Sequence, residues 1–188
     1  PLVGLLRVGQ GSAQVHACQA VANLACCPAG QEQIRKANGV PCLLLLLGSG
    51  KTQEHAARAL GQLAHEHLDI QREVCKAGGI PLLLALLSGI NTDVQVQACA
   101  AISSLAQGAN GKNRRKTQEA IAKAGGIGPL LQLVESRYPD VIAAALHALA
   151  STARSHRENQ DAVATYGGIK TLTELLQQNR PDGGQNTP

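Results

Sequence analysis

The chain has 188 residues but no Trp, Phe or Met and only two Tyr, which argues against a single large core filled by aromatic side chains. Its length suits roughly four or five units of a helical repeat, packed instead through Leu, Ala, Ile and Val. The formal charge of +4 is local, because four of the 17 basic residues lie in segment 112–116 and the other 13 balance the 13 acidic residues. A protein that binds duplex nucleic acid usually carries a broad basic face instead, so we expect no nucleic-acid partner.

Apolar runs and cysteines bear on the compartment. The longest apolar runs, residues 40–47 and 80–87, are too short for a membrane span of about 20 residues, so we expect no direct membrane insertion. Six cysteines occur without a CxxC pair, as expected of reduced thiols in an intracellular protein, the cytoplasm being favoured over the nucleus. Because the sequence opens at Pro1 rather than Met, we expect it to belong to a longer protein.

The first recurring element is an apolar phrase that usually opens with proline. Its copies lie at offsets of 40, 40, 48 and 41 residues and begin at Pro1, Pro41, Pro81, Pro129 and Lys170. From the second copy onward a turn signal precedes it: Asn38-Gly39, Gly78-Gly79, Gly125-Gly126 and Gly167-Gly168. Gly, and less often Asn, adopts the left-handed conformation that ends a helix, and proline suits the first turn of the next one. Each unit is therefore predicted to contain a helix, a hairpin and a second helix.

An alanine-rich stretch follows each of the first four phrases. Its copies begin at Ala17, Ala56, Ala98 and Ala145. Apolar residues recur in them at steps of three and four, which is the spacing of one buried helical face. A further alanine three residues into each copy leaves room for a neighbouring backbone. We predict that this third helix is the longest of the unit.

This order of elements resembles the armadillo repeat, as found in β-catenin and importin-α. The resemblance runs from Pro1 to Gln178. It implies an all-α fold, a right-handed α-solenoid of three-helix repeats, in a single domain of residues 1–178. The units are predicted to span residues 1–30 (partial), 31–68, 69–110, 111–158 and 159–178 (partial). Residues 179–188, with two Pro, two Gly and little to bury, are predicted to be a disordered tail.

Three short motifs invite a chemical interpretation, and each has a simpler one. Segment 48–52 (Gly-Ser-Gly-Lys-Thr) ends like a phosphate-binding loop but lacks the first glycine and the preceding strand, so we interpret it as a turn. His65 and His67 are two residues apart, whereas a helical zinc pair is four apart. Cys26 and Cys27 have no histidine placed near them by the repeat geometry. We therefore predict no catalytic residue, metal, cofactor or small-molecule substrate, and no enzymatic activity.

A basic insertion lengthens one period to 48 residues. It carries Lys112, Arg114, Arg115 and Lys116, and we predict that it forms a loop before the first helix of its unit. A solvated loop is the simplest interpretation. A nuclear-localisation signal, a contact for an acidic partner and a phosphate patch stay open.

The resemblance to armadillo proteins implies a binding surface on the long third helices, which line the inner face of the superhelix. In importin-α each of these helices carries a Trp, then three residues, then an Asn that holds the backbone of a bound peptide. The matching pairs here are Gln19 and Asn23, Arg58 and Gln62, Ala100 and Ser104, and His147 and Ser151. Only Asn23 keeps the pattern and no Trp remains, so we do not expect basic signals to bind as they do in importin-α.

The side chains that stand at these positions favour a different ligand. Four short polar groups are able to bond a peptide backbone: Asn23, Gln62, Ser104 and Ser151. Arg58 and His147 would select acidic groups, unless Arg58 pairs instead with Glu54 one turn back. Val96 and Ala100 make the middle of the groove small and apolar, which suits a hydrophobic anchor or a partner helix.

Protein–protein binding is the predicted function, with the chain acting as an adaptor or scaffold that holds an extended peptide or a helix of another protein in its groove. Two alternatives stay open. The chain is a substrate-recruiting segment of a larger protein, as in U-box ubiquitin ligases, or a structural module that packs within its parent. A nuclear-transport adaptor fits less well, because the Trp side chains of importin-α are missing.

Overall fold

The computed structural model describes residues 2–9, 11–108 and 110–178. Within these ranges it contains 13 α-helices and no β-strand, so the all-α prediction is confirmed. The disordered tail predicted for residues 179–188 lies outside the described ranges. In chain order the helices are α1 (Leu2–Val8), α2 (Ser12–Leu24), α3 (Pro28–Lys36), α4 (Gly39–Leu46), α5 (Gln53–Ala64), α6 (Leu68–Lys76), α7 (Gly79–Leu87), α8 (Thr92–Gln107), α9 (Gly111–Lys123), α10 (Ile127–Val134), α11 (Pro139–Ala153), α12 (Arg157–Thr165) and α13 (Gly168–Gln178).

The helices fall into three classes that repeat along the chain. The alanine-rich helices α2, α5, α8 and α11 have 12 to 16 residues and pack side by side in chain order. The Leu-rich helices α1, α4, α7 and α10 each pack against the alanine-rich helix that follows. The first helices α3, α6, α9 and α12 precede the Leu-rich helices, and α3, α6 and α12 contact the helices before and after them, while α9 contacts α8 and α11. The predicted order of elements is therefore confirmed.

Each hairpin between a first helix and a Leu-rich helix contains a left-handed residue. The four residues with this conformation have φ of 63° to 80° and are Asn38, Gly78, Gly125 and Gly167. The glycine that follows is required for a different reason, because a side chain there would collide with the preceding helix. A Cβ added to Gly79 would lie 2.5 Å from Cγ1 of Val74 and 2.9 Å from its carbonyl oxygen. The two-glycine signal thus has two separate causes, and Asn38 is accepted only at the first position, where Asn tolerates positive φ.

A continuous aliphatic core runs from Leu6 on α1 to Leu149 on α11. Leu residues fill the space between the Leu-rich and alanine-rich helices, while alanines lie where two alanine-rich helices approach closely. A glycine marks one close approach between two long helices, α5 and α8. A Cβ added to Gly61 would lie 3.2 Å from Cα of Ala101. This contact sets the spacing of the two central long helices.

A glutamine seven residues before each hairpin links a first helix to the carboxyl end of a long helix. These glutamines donate through Nε2 to main-chain carbonyls that have no partner within their own helix. The bonds are Gln31 to Gln62 (3.0 Å) and His65 (3.1 Å), Gln71 to Ala64 (2.8 Å) and Ser104 (3.5 Å), Gln118 to Ser151 (2.7 Å) and Arg154 (3.0 Å), and Gln160 to Ala153 (3.1 Å). Gln31 and Gln118 thus bond the long helix that follows, Gln160 the one that precedes, and Gln71 both.

Replacing Gln118 by Leu is expected to lower the free energy of unfolding by about 2 kcal/mol, because the carbonyl of Ser151 loses a buried donor and the carbonyl of Arg154 a partly buried one. Gln118 is only 1% exposed. Gln160→Leu is the matched control, since Gln160 is exposed and water can replace its bond to Ala153. Urea denaturation of both variants measures the difference. Equal losses in the two variants would contradict a role for the buried bonds.

The basic insertion does not form a loop, so that prediction is wrong. Its residues lie in α9, which has 13 residues against nine for each of α3, α6 and α12. The side chain of Asn110 caps the helix by accepting a hydrogen bond from the backbone N–H of Asn113 (2.9 Å). Buried Asn113 in turn donates to Oε1 of Gln71 (2.9 Å). These two bonds hold the inserted residues in helical conformation.

Candidate peptide groove

The candidate binding residues lie on one side of the row formed by α2, α5, α8 and α11, which we call the groove face. The exposed members are Asn23, Arg58, Gln62, Ala100 and His147. The half-buried members are Gln19, Glu54, Val96 and Ser104. Ser151 alone is buried. The helical alignment thus predicts which residues reach this side, except at the last long helix.

Arg58 lies on α5, beside the middle of the groove face, with its charge available. In the described part of the chain, no carboxylate lies within 4.0 Å of its guanidinium, so the pairing with Glu54 considered from the sequence is not formed. Oε1 of Glu54 lies instead 3.9 Å from Nδ1 of His55. An exposed, unpaired guanidinium beside the amide of Gln62 is suited to a carboxylate or a peptide carbonyl.

A polar network joins α8 and α11 beneath the groove face. Oγ of buried Ser103 lies 2.8 Å from Oγ of Ser151 and 3.2 Å from Nδ1 of His147. Nε2 of Gln107 lies 3.4 Å from the Ser103 hydroxyl and 3.5 Å from Nε2 of His147. Ser151 is therefore committed to its neighbour and cannot bond a peptide backbone, which corrects its predicted role.

The same network fixes the position of His147. Because Ser103 is buried, its hydroxyl cannot reach a substrate, so the Ser–His pair orients the imidazole rather than activating a nucleophile. Sequence alignment missed both Ser103 and Gln107. One signal was present, since Ser103 falls on the buried side of α8 among Cys99, Ile102 and Ala106, and a polar group buried in such surroundings requires a partner.

The middle of the groove face is shallow and apolar. Ala100 is exposed and Val96 is half-buried, and between them they separate Arg58 from His147. Neither side chain offers a hydrogen bond. The surface thus carries exposed polar groups on α2, α5 and α11, with a small apolar strip and the half-buried Ser104 on α8.

The remaining motifs of the sequence have structural roles. Segment 48–52 lies in the turn between α4 and α5, as predicted, and the hydroxyl of Thr52 donates to the carbonyl of Leu46 (2.8 Å). His67 caps α6, where its Nδ1 accepts from the N–H of Ile70 (3.4 Å). Among the described residues there is no group of three or more His, Cys, Asp and Glu placed to hold a metal ion. No described helix has the length and apolar character needed to cross a membrane.

Comparison with known proteins supports the repeat assignment. The family model "Armadillo/beta-catenin-like repeat" matches residues 69–107. The comparison with curated proteins gave no match. An engineered protein of known structure is 31% identical, with a TM-score of 0.88 over 95% of this chain and 71% of that chain. A designed armadillo repeat protein in complex with the peptide (KR)4 is 25% identical, with a TM-score of 0.86 over 97% of this chain and 75% of that one. Computationally designed armadillo repeat proteins for modular peptide recognition give 26% identity and a TM-score of 0.83 over 96% and 75%.

Proposed function

Since the chain belongs to the armadillo-repeat family, we propose that it is a protein-binding scaffold whose groove face holds an extended peptide segment of a partner protein. The observation that carries the proposal is the set of exposed polar side chains on α2, α5 and α11, above all Arg58 without an ion pair among the described residues. Six free cysteines support a reducing compartment, and we propose the cytoplasm.

The amides of Asn23 and Gln62 are the proposed anchors for the peptide backbone. Each is exposed and one amide offers both a donor and an acceptor, which is what an extended main chain requires. Because such bonds do not depend on side-chain identity, they supply affinity rather than choice of ligand. The apolar strip of Val96 and Ala100 accommodates one small hydrophobic side chain of the ligand.

Selection among peptides is proposed to come from charge. Arg58 faces the ligand beside the apolar strip, so a peptide with an acidic residue near a small hydrophobic one fits this groove, whereas both ring nitrogens of His147 already lie within hydrogen-bond distance of Ser103 and Gln107. The designed relative in complex with (KR)4 binds a peptide of the opposite charge. Because the exposed charge of this groove is the cation of Arg58, the preference of this chain is proposed to be the reverse. A role as substrate-recruiting segment of a larger protein would use the same groove.

Reversing the charge at Arg58 tests the proposal. Acidic peptides selected from a random library on the wild-type chain are expected to bind Arg58→Glu at least about tenfold more weakly, a loss of about 1.4 kcal/mol. Arg157→Glu is the matched control, because Arg157 is exposed on α12, outside the groove face. Fluorescence anisotropy with labelled peptides measures both.

Three outcomes decide the matter. A loss confined to Arg58→Glu supports the groove, and partial recovery by peptides with Lys in place of the acidic residue identifies the contact. Equal weakening in both variants would show that only long-range charge matters. Selection of basic peptides, or of none, contradicts the proposed ligand class.

A further inference from the structure

A basic cavity lies between α6 and α9, and none of the groove candidates lines it. Its volume is about 690 Å³, and none of its nine lining residues is acidic. Four of them are basic: Arg72 and Lys76 from α6, and Lys112 and Lys116 from α9. We propose that this cavity binds a small ligand with clustered phosphate groups, such as an inositol polyphosphate.

The four cations are arranged as two facing pairs. Arg72 and Lys76 lie one turn apart on α6, and Lys112 and Lys116 lie one turn apart on α9. Like charges at this spacing repel each other within a helix, and here the two pairs also face each other across the cavity. Arg72 is partly neutralised by Asp69 (3.5 Å). In the part of the chain that the structure describes, no carboxylate lies within 4.0 Å of the three lysine ammonium groups.

The amino end of α9 adds to the positive potential. Its first turn contains Lys112 and no acidic residue. A basic side chain there adds to the partial positive charge of the helix end instead of offsetting it. Five other helices carry an acid in their first turn: Glu54, Asp69, Asp93, Asp140 and Glu158. An anion bound in the cavity would offset the partial positive charge at the amino end of α9, as those acids do in the other five helices.

The floor of the cavity is buried, hydrogen-bonded and uncharged. Asn113 and Thr117 are both buried, with Asn113 bonded to Gln71 and the Thr117 hydroxyl bonded to the carbonyl of Asn113 (3.1 Å). Sγ of Cys75 lies 3.9 Å from Oγ1 of Thr117. Burial raises the pKa of the Cys75 thiol, so no thiolate competes with a bound anion. The lysines therefore project from helices that are joined by buried hydrogen bonds.

Helical register, rather than the basic run as a whole, forms the cavity. Of the four basic residues in the insertion, only Lys112 and Lys116 line it. Nε of Arg115 lies instead 3.3 Å from a carboxylate oxygen of Glu119. Arg114 packs beside Gly108. In a solvated basic loop, no helical register would place two of the basic residues at the cavity and the other two away from it.

Size and surroundings favour a small ligand over a long polyanion. The volume falls within the range of about 300–1,000 Å³ that is usual for small-molecule sites. An adjoining cavity shares Arg72 and Lys76 but is also lined by Asp69 and Glu73. A polyanion that continued in this direction would meet those carboxylates. Several phosphates on one compact ring instead meet all four cations at once.

Isothermal titration with inositol hexakisphosphate at about 150 mM salt tests the site, since that salt screens distant surface charges. The cavity variant is Lys76→Ala, Lys112→Ala, Lys116→Ala. The control variant, Lys51→Ala, Lys123→Ala, Lys170→Ala, has the same net charge and leaves the cavity intact. We expect one ligand per chain and at least about tenfold weaker binding by the cavity variant only. Circular dichroism checks that both variants keep their helices.

A second arm separates the two sources of the headgroup. Vesicles that contain phosphatidylinositol bisphosphate are compared with phosphatidylserine vesicles of equal charge. Binding of the soluble ligand alone assigns a free polyphosphate, and cavity-dependent binding of the phosphoinositide vesicles assigns a lipid headgroup. Equal loss in both variants, absence of saturable binding in both arms, or tighter cavity-dependent binding of single-stranded RNA than of the polyphosphate would overturn the proposal.

Discussion

Replacing Ile102 by alanine is expected to lower the free energy of unfolding by about 3 kcal/mol. Ile102 lies on α8 and is 0% exposed. This helix packs against α5, α7, α9 and α11, so the side chain is surrounded by elements that cannot all move inward. The loss thus combines the transfer of the deleted carbons to water with the cost of the cavity that remains. Urea denaturation followed by circular dichroism measures it.

Ile90→Ala provides the same chemical change at a site without packing. Ile90 is fully exposed after the end of α7, so its replacement is expected to change stability by less than about 0.5 kcal/mol. If Ile102→Ala costs as little as Ile90→Ala, then α8 is not the centre of the core. A separate early transition in the Ile102 variant would show that the repeat array unfolds in two parts, as nearest-neighbour coupling allows.

Replacing Gly61 by leucine is the second change with a large expected effect. A Cβ at Gly61 already lies 3.2 Å from Cα of Ala101 and 3.4 Å from its backbone nitrogen. Backbone atoms cannot turn aside as a side chain does, so the remaining atoms of leucine must push α5 and α8 apart. We expect a loss of about 3 kcal/mol in the free energy of unfolding. Thermal and urea denaturation provide the measurement.

Gly128→Leu serves as the control for the same substitution within a helix. A Cβ at Gly128 in α10 meets nothing within 4 Å, and leucine favours the helix by about 0.8 kcal/mol over glycine. Stability is therefore expected to stay level or rise. Similar losses in the two variants would mean that the α5–α8 contact is not the cause, and the fixed spacing of the central long helices would have to be abandoned.

The fold was predictable because its signals are local and repeated. Positive φ at Asn38 and Gly78, and the close packing at Gly79, restrict those positions to very few residue types, so the hairpins are visible in the sequence. The periodic leucines and alanines then indicate which face of each helix is buried. One detail of the alignment was wrong. Leu130, not the leucine after it, takes the buried place of Leu83, so this period is 47 residues rather than 48.

The helical state of the insertion was not predictable from residue type alone. Lysine and arginine occur in loops and helices alike, and the decisive bonds join residues far apart in sequence. Asn113 is held by Gln71, which lies 42 residues earlier. A sequence pattern contains no information on that pairing until the two first helices are placed side by side.

The candidate groove was predictable in position but not in the state of every side chain. The alignment treats Ser104 and Ser151 as equivalent, yet Ser104 is half-buried and Ser151 is buried against Ser103. The difference arises because Ser103, on the facing helix, offers a hydroxyl at bonding distance. Whether a polar residue is free for a ligand depends on its neighbour in the next repeat, and periodicity within one helix does not describe that neighbour.

The extended first helix α9 also indicates where this architecture tolerates evolutionary change. Its extra residues precede the turn that carries Gln118, which still donates to the end of α11 as Gln31 does to the end of α5. Growth at a capped amino end leaves the downstream register untouched, because the added turn needs only a new cap such as Asn110. The same point on other repeats is therefore a natural place to graft short segments, by mutation or by design, without disturbing the units that follow.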